Sequence, residues 1–570
     1  MIFTADVLLD RYFETAFSAP DGIKRLRELI LTLAMQGKLV PQDPSDQPAR
    51  ELLKEIEAEK QMLIKAGKIK KQKLLPKITA DEIPYDLPEN WEWVKIRNIC
   101  HDWGQKKPDR NFTYIDVGII DNKNGLISDS IQILEAKDAP SRARKIVKKG
   151  TVIYSTVRPY LLNIAIVEQD YKDEPIASTA FAILHPYSKI YNRFIYYILK
   201  SPYFIEFVED QMKGVAYPAI NDGNFFEGLF PLPPLAEQKR IVEKCDRLMA
   251  QCDKLEQLQR EREQKRILIH TAAREKLLKA SDQETFSQAW DFIKENFGDL
   301  YAVKENVTSL RQAILQLAVM GKLVPQDPGD QPANELLKEI EAEKQRLIKE
   351  GKIKKQKPLP DITADEIPYD LPNSWSWSRL EDIVDIITGI SKGKKYQDQV
   401  MKEFPYLRVA NVQRGYLDLK IMKYLPIPIN DFSRYEVLPN DLLITEGGDW
   451  DKVGRTAIWN GEVSSCIHQN HVFKARRFLQ KQNIFWLQLY LNSLPARTYF
   501  ASASKQTTNL ASINKTQLRS CPIPLPPFPE QNRIVAKVDA LTALCDRLEN
   551  QIDQKTSKQT QLLESVMAGV

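Results

Sequence analysis

Six cysteines and five histidines in 570 residues leave little material for metal or thiol chemistry. The cysteines stand singly at 100, 245, 252, 466, 521 and 545, with neither a CxxC pair nor a disulfide-framework spacing, so a zinc-held or stapled fold is not expected. His468 and His471 lie close together in IHQNHVF, but alternate positions on a β-like run fit packing or hydrogen-bonding roles better than a metal site. No GxxxxGK[ST] phosphate loop, HExxH or GxSxG occurs, which removes the commonest nucleotide, metalloprotease and serine-hydrolase signatures. A base methyltransferase would need a glycine-rich cofactor turn and an Asn or Asp ahead of two prolines and an aromatic. The Pro-Pro pairs here lie in LPPL and LPPF, and neither offers the amide or carboxylate that holds a base amino group. No apolar run approaches the length of a membrane span. The N-terminal MIFTADVLLDRYFETAF carries acidic residues and no basic lead, so it does not read as a signal peptide, and a soluble, cytoplasmic protein is expected.

What the chain does contain is itself, twice. Leu26 to Asn98 matches Leu310 to Asp382 at an offset of 284 residues, sharing GKLVPQDP, ELLKEIEAEKQ, GKIKKQK and ITADEIPYDLP. From Phe230, FPLPPLAEQKRIVEKCDRLMAQCDKLEQ matches IPLPPFPEQNRIVAKVDALTALCDRLENQ from Ile523 at an offset of 293, so the inserts between the shared blocks differ by nine residues in length. They differ far more in sequence. The organisation expected is therefore a conserved helical region and connector at 1–98, a first divergent domain at 99–229, a long helix at 230–280, a second helical region and connector at 281–382, a second divergent domain at 383–520 and a last long helix at 521–570. An apolar fraction of 43% supports folded domains, and a net charge of +5 permits a nucleic-acid partner without demanding one.

Each repeated segment predicts an element. The prolines of FPLPP cannot sit inside a helix but suit an extended lead-in to one. A helix then starts near Glu237 and runs to about Leu278, roughly 65 Å long. Ile241, Cys245, Leu248, Cys252 and Leu255, and in the copy Ile534, Val538, Leu541, Cys545 and Leu548, recur at spacings of four, three, four and three. That is a heptad seam, and the matched copy is an available partner, with antiparallel pairing the expected arrangement. Shorter amphipathic helices end at Gly37 and Gly321. Glu51 to Ala66 reads as a charged helix, with Glu51–Lys54 and Glu57–Lys60 pairs and a thin apolar stripe; such a helix is expected to project from the body. The basic run KIKKQK after it reads as a solvated linker, with phosphate contact as the alternative.

The inserts read as mixed α and β domains. TVIYSTV and IAIVEQ flank a loop with Arg158 and Tyr160, while DLLITEGG and TAIWNG flank a loop with Trp450, Lys452 and Arg455. Helix-like stretches follow at Tyr191 to Met212 and Asn483 to Ser504, then a polar segment ending in AIN at 219–221 or SIN at 512–514.

The paired LPPLAEQKRIV and LPPFPEQNRIV segments, each closing a divergent insert and opening a heptad helix, together with the GKLVPQ segments, resemble the specificity subunit of type I restriction-modification systems. The resemblance covers essentially the whole chain. It implies an α+β tandem repeat of approximate two-fold symmetry, in which two mixed α/β target recognition domains are separated by two long helices forming an antiparallel intramolecular coiled coil. It also implies a non-catalytic subunit that reads one half of an asymmetric bipartite double-stranded DNA site with each domain. Two methyltransferase subunits and two restriction, or motor-nuclease, subunits would bind it. S-adenosylmethionine, ATP and Mg would belong to those partners, with no cofactor in this chain. The alternative is a coiled-coil scaffold that binds proteins and no DNA.

Under the DNA reading, the candidates in the first insert are Lys106, Lys107, Arg110, Arg142, Arg144, Arg158 and Tyr160. Arginine can make bidentate bonds to guanine, whereas lysine more often neutralises phosphate. The duller readings are an internal ion pair for Arg158 and a core position for Tyr160. In the second insert the candidates are Lys392, Lys394 and Lys395, then Trp450, Lys452 and Arg455, and the polar run Lys505, Gln506, Thr507, Thr508 and Asn509. Gln and Asn suit adenine edges; the lysine cluster read blandly is a solvated loop.

Overall fold

The computed structural model describes residues 15, 17–71, 77–391, 393, 399–448, 452–506 and 511–568; for Gln506 it describes the backbone alone. The chain forms two compact units, Met1–Arg262 with Lys555–Val570, and Glu263–Gln554. Long helices occupy Leu235–Lys279 and Phe528–Ala568. Each unit thus holds the start of one long helix and the end of the other. No helix among the described residues is long and apolar enough to cross a membrane.

In the first unit the proline run is a strand, Leu229–Leu232, paired antiparallel with Glu92–Lys95 so that Pro231 faces Trp93. Proline tolerates this place because the sheet has only two strands, which leaves it an edge without a ladder bond to donate. The second unit repeats the device with Pro522–Leu525 against Ser376–Arg379. Each long helix therefore leaves directly from a strand that the shared block supplies.

The first insert carries two four-stranded sheets. In one, the order is Cys100–His101, Phe181–Pro186, Val152–Ser155 and Ile164–Ile166; in the other, Gln132–Leu134, Phe112–Ile115, Glu174–Ser178 and Ala143–Ile146. Among the described residues the second insert has a four-stranded sheet, Val384–Thr388, Val472–Arg477, Leu442–Thr445 and Thr456–Ile458, and two three-stranded ones, built on Met401–Leu407 and on Ala511–Ser512. The β-rich runs expected around Arg158 and Arg455 are thus antiparallel neighbours in both units. The helix-like stretches expected at Tyr191 to Met212 and Asn483 to Ser504 each hold two helices. They break at Ser201–Pro202 and Ser493–Leu494, where proline at the first or second helical position starts a new helix.

The heptad seams are filled inside their own units. Ile241, Cys245 and Cys252 are buried in the first core with Ile23, Ile30 and Phe194, and Leu248 packs on its edge. Ile534, Val538 and Cys545 are buried in the second core with Ile314, Leu317 and Trp486, edged by Leu541 and Leu548. Leu255 is 42% exposed. The short helices Gly22–Met35 and Lys304–Val319 are what the seams pack on. Arg27 clamps the first contact by reaching Asp253 and Glu256 at 2.6 and 2.8 Å, and Arg311 repeats it on Asp546 and Glu549 at 2.6 and 3.1 Å. On its other side Gly22–Met35 receives the end of the last long helix, through Leu29 and Leu563.

The charged helix Ala49–Lys65 does not project. Ala49, Leu52 and Ile56 are buried, Glu55 pairs with Lys189 at 2.9 Å, and Glu59 accepts from the backbone N–H and hydroxyl of Ser188 at 2.9 and 2.7 Å. A three-residue stripe and two carboxylates suffice to lay this charged helix on the recognition domain.

Candidate nucleic-acid interface

The EQ shared by both LPPxxEQ segments is the hub that positions a recognition domain. Glu237 is buried, accepts from the Trp91 indole at 3.0 Å and from Gln42 Nε2 at 2.6 Å, and so joins the long helix to both ends of the shared block. Gln238 turns the other way: its oxygen accepts from the Tyr191 backbone N–H at 2.8 Å and its nitrogen donates to Pro233 O at 3.0 Å, fixing the first helix of the insert. Arg240 adds a pair to Asp46 at 2.6 Å. The second unit repeats the hub with Glu530, Trp375 and Gln326 at 3.0 and 2.6 Å, and Arg533 on Asp330 at 2.7 Å. Burial raises both carboxyls above the usual range, only partly offset by the indole and amide donors.

On this base the first recognition domain presents the Arg158 loop. Arg158 is exposed and held in the left-handed region at φ 49°, and Leu162 closes the loop at φ 51°. Such a conformation is uncommon outside glycine and is a reason to look for function. The guanidinium lies over the Tyr217 ring, 4.9 Å from its centroid. Among the described residues Arg158 makes no ion pair, so the internal-pair reading does not hold. Tyr160 is 46% exposed rather than in the core, because its neighbour Pro159 takes the buried place.

The other first-insert candidates divide. Lys106 is tied to Glu174 at 2.5 Å and to Asp109 at 3.4 Å, and the Glu174 bond holds its ammonium above the usual range; it braces the sheet edge. Arg110 is exposed, with Glu174 at 3.9 Å. Lys107 and Arg142 are exposed and Arg144 is half-buried.

In the second domain Arg455 donates to Gln413 Oε1 at 2.7 Å and is half-buried, as is Lys452. Lys505 is exposed on a short strand, Lys505–Gln506, that pairs with Ala511–Ser512, which in turn pairs with Gly447–Gly448. Lys392, Lys394, Lys395, Trp450, Thr507, Thr508 and Asn509 lie outside the described residues. The AIN and SIN segments end in helix caps: Asn221 accepts from Asn224 N at 2.8 Å and Asn514 from Gln517 N at 2.9 Å.

Among the described residues no cluster of three or more His, Cys, Asp or Glu is placed to hold a metal. His468 is fully buried and donates from Nδ1 to Val472 O at 2.7 Å, while His471 faces Glu446.

A family model described as the type I restriction modification DNA specificity domain matches residues 88–265 and again 372–556. The chain is 38% identical over 563 residues to the specificity subunit of the type I restriction enzyme EcoAI of Escherichia coli, covering 95% of this chain and 92% of that one. It is 34% identical over 558 residues to the EcoEI specificity subunit of Escherichia coli, with the same coverage of 95% and 92%. Among solved structures, the HsdS subunit from Thermoanaerobacter tengcongensis is similar at 24% identity and a TM-score of 0.46, covering 85% of this chain and 98% of that one. Two matched recognition units, each hung on its own Glu–Trp hub, and full-length relatives of one kind place the chain in the family of type I restriction-modification DNA specificity subunits.

Proposed function

We propose that this subunit reads an asymmetric bipartite double-stranded DNA site, one half with each insert, and that it is non-catalytic. What supports the reading most is the exposed Arg158 loop, held in a strained backbone and stacked on an aromatic, on a domain whose counterpart offers different side chains at the same place. Unlike side chains facing unlike base edges select unlike half-sites. The long helices then act as a spacer ruler between the halves.

Methyltransferase and restriction subunits would dock on the near-identical parts of the two units, since two identical partners need two equivalent surfaces. In the first unit an apolar cleft of about 760 Å³ is lined by Leu26, Ile30, Leu33, Leu39 and Leu248, whose counterparts Leu310, Ile314, Leu317, Leu323 and Leu541 are apolar too. S-adenosylmethionine, ATP and Mg would be held by those partners, in the cytoplasm.

Binding of a duplex carrying the target by the complex with the methyltransferase subunit tests the proposal. Affinity should fall steeply as salt rises and exceed that for unrelated duplex by at least about a thousandfold. Equal affinity for all duplexes, or none, would favour the protein-binding scaffold instead.

A further inference from the structure

The polar run at 505–509 in the second insert has a counterpart in the first, Lys213 to Pro218, which carries one charge. The bridges at the ends of the two segments make them equivalent. Ala219 is bridged on one side to Val157 and on the other to Lys213; Ser512 is bridged on one side to Gly447 and on the other to Lys505. In both units, then, the lysine that follows the second insert helix, Lys213 or Lys505, bridges a residue that is itself bridged to the end of the strand leading into the cationic loop, so Lys213 stands where Lys505 stands.

The first-unit loop is closed by paired bonds, Lys213 N to Ala219 O at 2.9 Å and Ala219 N to Lys213 O at 3.0 Å. It is locked to the neighbouring loop by Arg158 N to Pro218 O at 2.8 Å and Ile220 N to Thr156 O at 3.0 Å. Gly214 turns it at φ 101°, where a side chain would be strained. Val215 at the tip is 104% exposed and Tyr217 is 70% exposed, beside Tyr160 and Leu161 at 46% and 44%. A solvent-facing apolar patch around one guanidinium, on backbone held this firmly, is poorly explained by folding, since none of these side chains enters a core cluster.

We propose that Lys213–Pro218 is a second base-reading loop of the first half-site, an inference that rests on the DNA-reading function above. Tyr217 is a positioning residue: its ring holds the Arg158 guanidinium flat, presenting its fork for a bidentate bond to guanine O6 and N7. Val215 is the specificity-determining contact, an apolar side chain that fits the C5-methyl of a thymine in the major groove. Lys213 at the loop base serves a phosphate.

The test is modified-base sequencing of DNA from cells that express the chain with its methyltransferase partner, in wild-type form and as Arg158→Ala, Tyr217→Ala, Tyr217→Phe and Val215→Ser. Tyr217→Ala should relax discrimination by about 10- to 100-fold at the same first-half position that Arg158→Ala relaxes, and Tyr217→Phe should restore it. Val215→Ser should relax one other first-half position, and in every variant the second half should stay strict. These side chains are exposed, so melting temperatures should match wild type. If Arg158→Ala alters the motif while Tyr217→Ala and Val215→Ser leave it intact, or if they weaken methylation uniformly at an unchanged motif, the loop proposal is overturned and the DNA-reading function stands. If the wild-type complex methylates no defined motif, the underlying function falls with it.

Discussion

The Trp91 indole N–H reaches Glu237 Oε2 across 146 residues of chain at 3.0 Å, and Trp375 meets Glu530 at the same 3.0 Å in the second unit. Both carboxylates are almost wholly buried. A charge so placed is tolerable only while its donors persist, so the bond links the start of each long helix to the strand on which the recognition domain hangs.

Trp91→Phe should therefore cost about 1.5 to 3 kcal/mol of stability at neutral pH. The cost should shrink on acidification. Burial already raises the Glu237 carboxyl in the folded chain, so the folded state takes up a proton at higher pH than the unfolded one. Between the unfolded and folded values the contribution of this group falls as pH rises, and removing a donor widens that gap. Denaturant unfolding of wild type and variant at pH 7 and near pH 4.5 measures it; an equal deficit at both would show that the lost indole packing, not the charge, is responsible.

Much of this arrangement is visible in the sequence. The two offsets, the proline-led helices and the strands around Arg158 and Arg455 follow from local pattern, because period and punctuation are local properties. The partners of Glu237 and Gln238 are not local: Trp91, Gln42 and Tyr191 lie 47 to 195 residues away, and nothing in LPPLAEQ names them. The helix breaks at Ser201 and Ser493 are marked in the sequence by Pro202 and Pro495. Ala49–Lys65 lies on the domain rather than projecting, because its thin apolar stripe is buried at Ala49, Leu52 and Ile56 and its Glu55 and Glu59 find partners more than 120 residues away, which local pattern does not show. The Lys213–Pro218 loop carries a single charge, at its base, so its exposure and its bridges are what reveal it.

His468 gives a second pH signature. Burial, reinforced by Lys474, lowers its imidazole to about 3, while the unfolded chain titrates near the ordinary 6.5. Between these values the unfolded state binds more protons, so stability should be lost as pH falls through 6.5. His468→Gln, whose amide can still donate to Val472 O, should flatten that decline. An unchanged slope between pH 6.5 and 4 would mean that other groups govern it.

The ruler reading predicts what helix length does. Deleting seven residues from each long helix, Gln257–Glu263 and the matching Asn550–Thr556, keeps the heptad phase. It should shorten the spacing by about 10 Å, or about three base pairs. The methylated motif should keep both half-sequences and lose base pairs only from its unread spacer. Altered half-sequences with an unchanged spacer would assign the helices another role.

The most direct test of the account is the methylome of cells carrying the wild-type chain with its methyltransferase partner. Two unlike recognition domains predict one asymmetric motif of two different half-sequences flanking an unread spacer. A palindromic motif, a single continuous motif or no motif at all would contradict it.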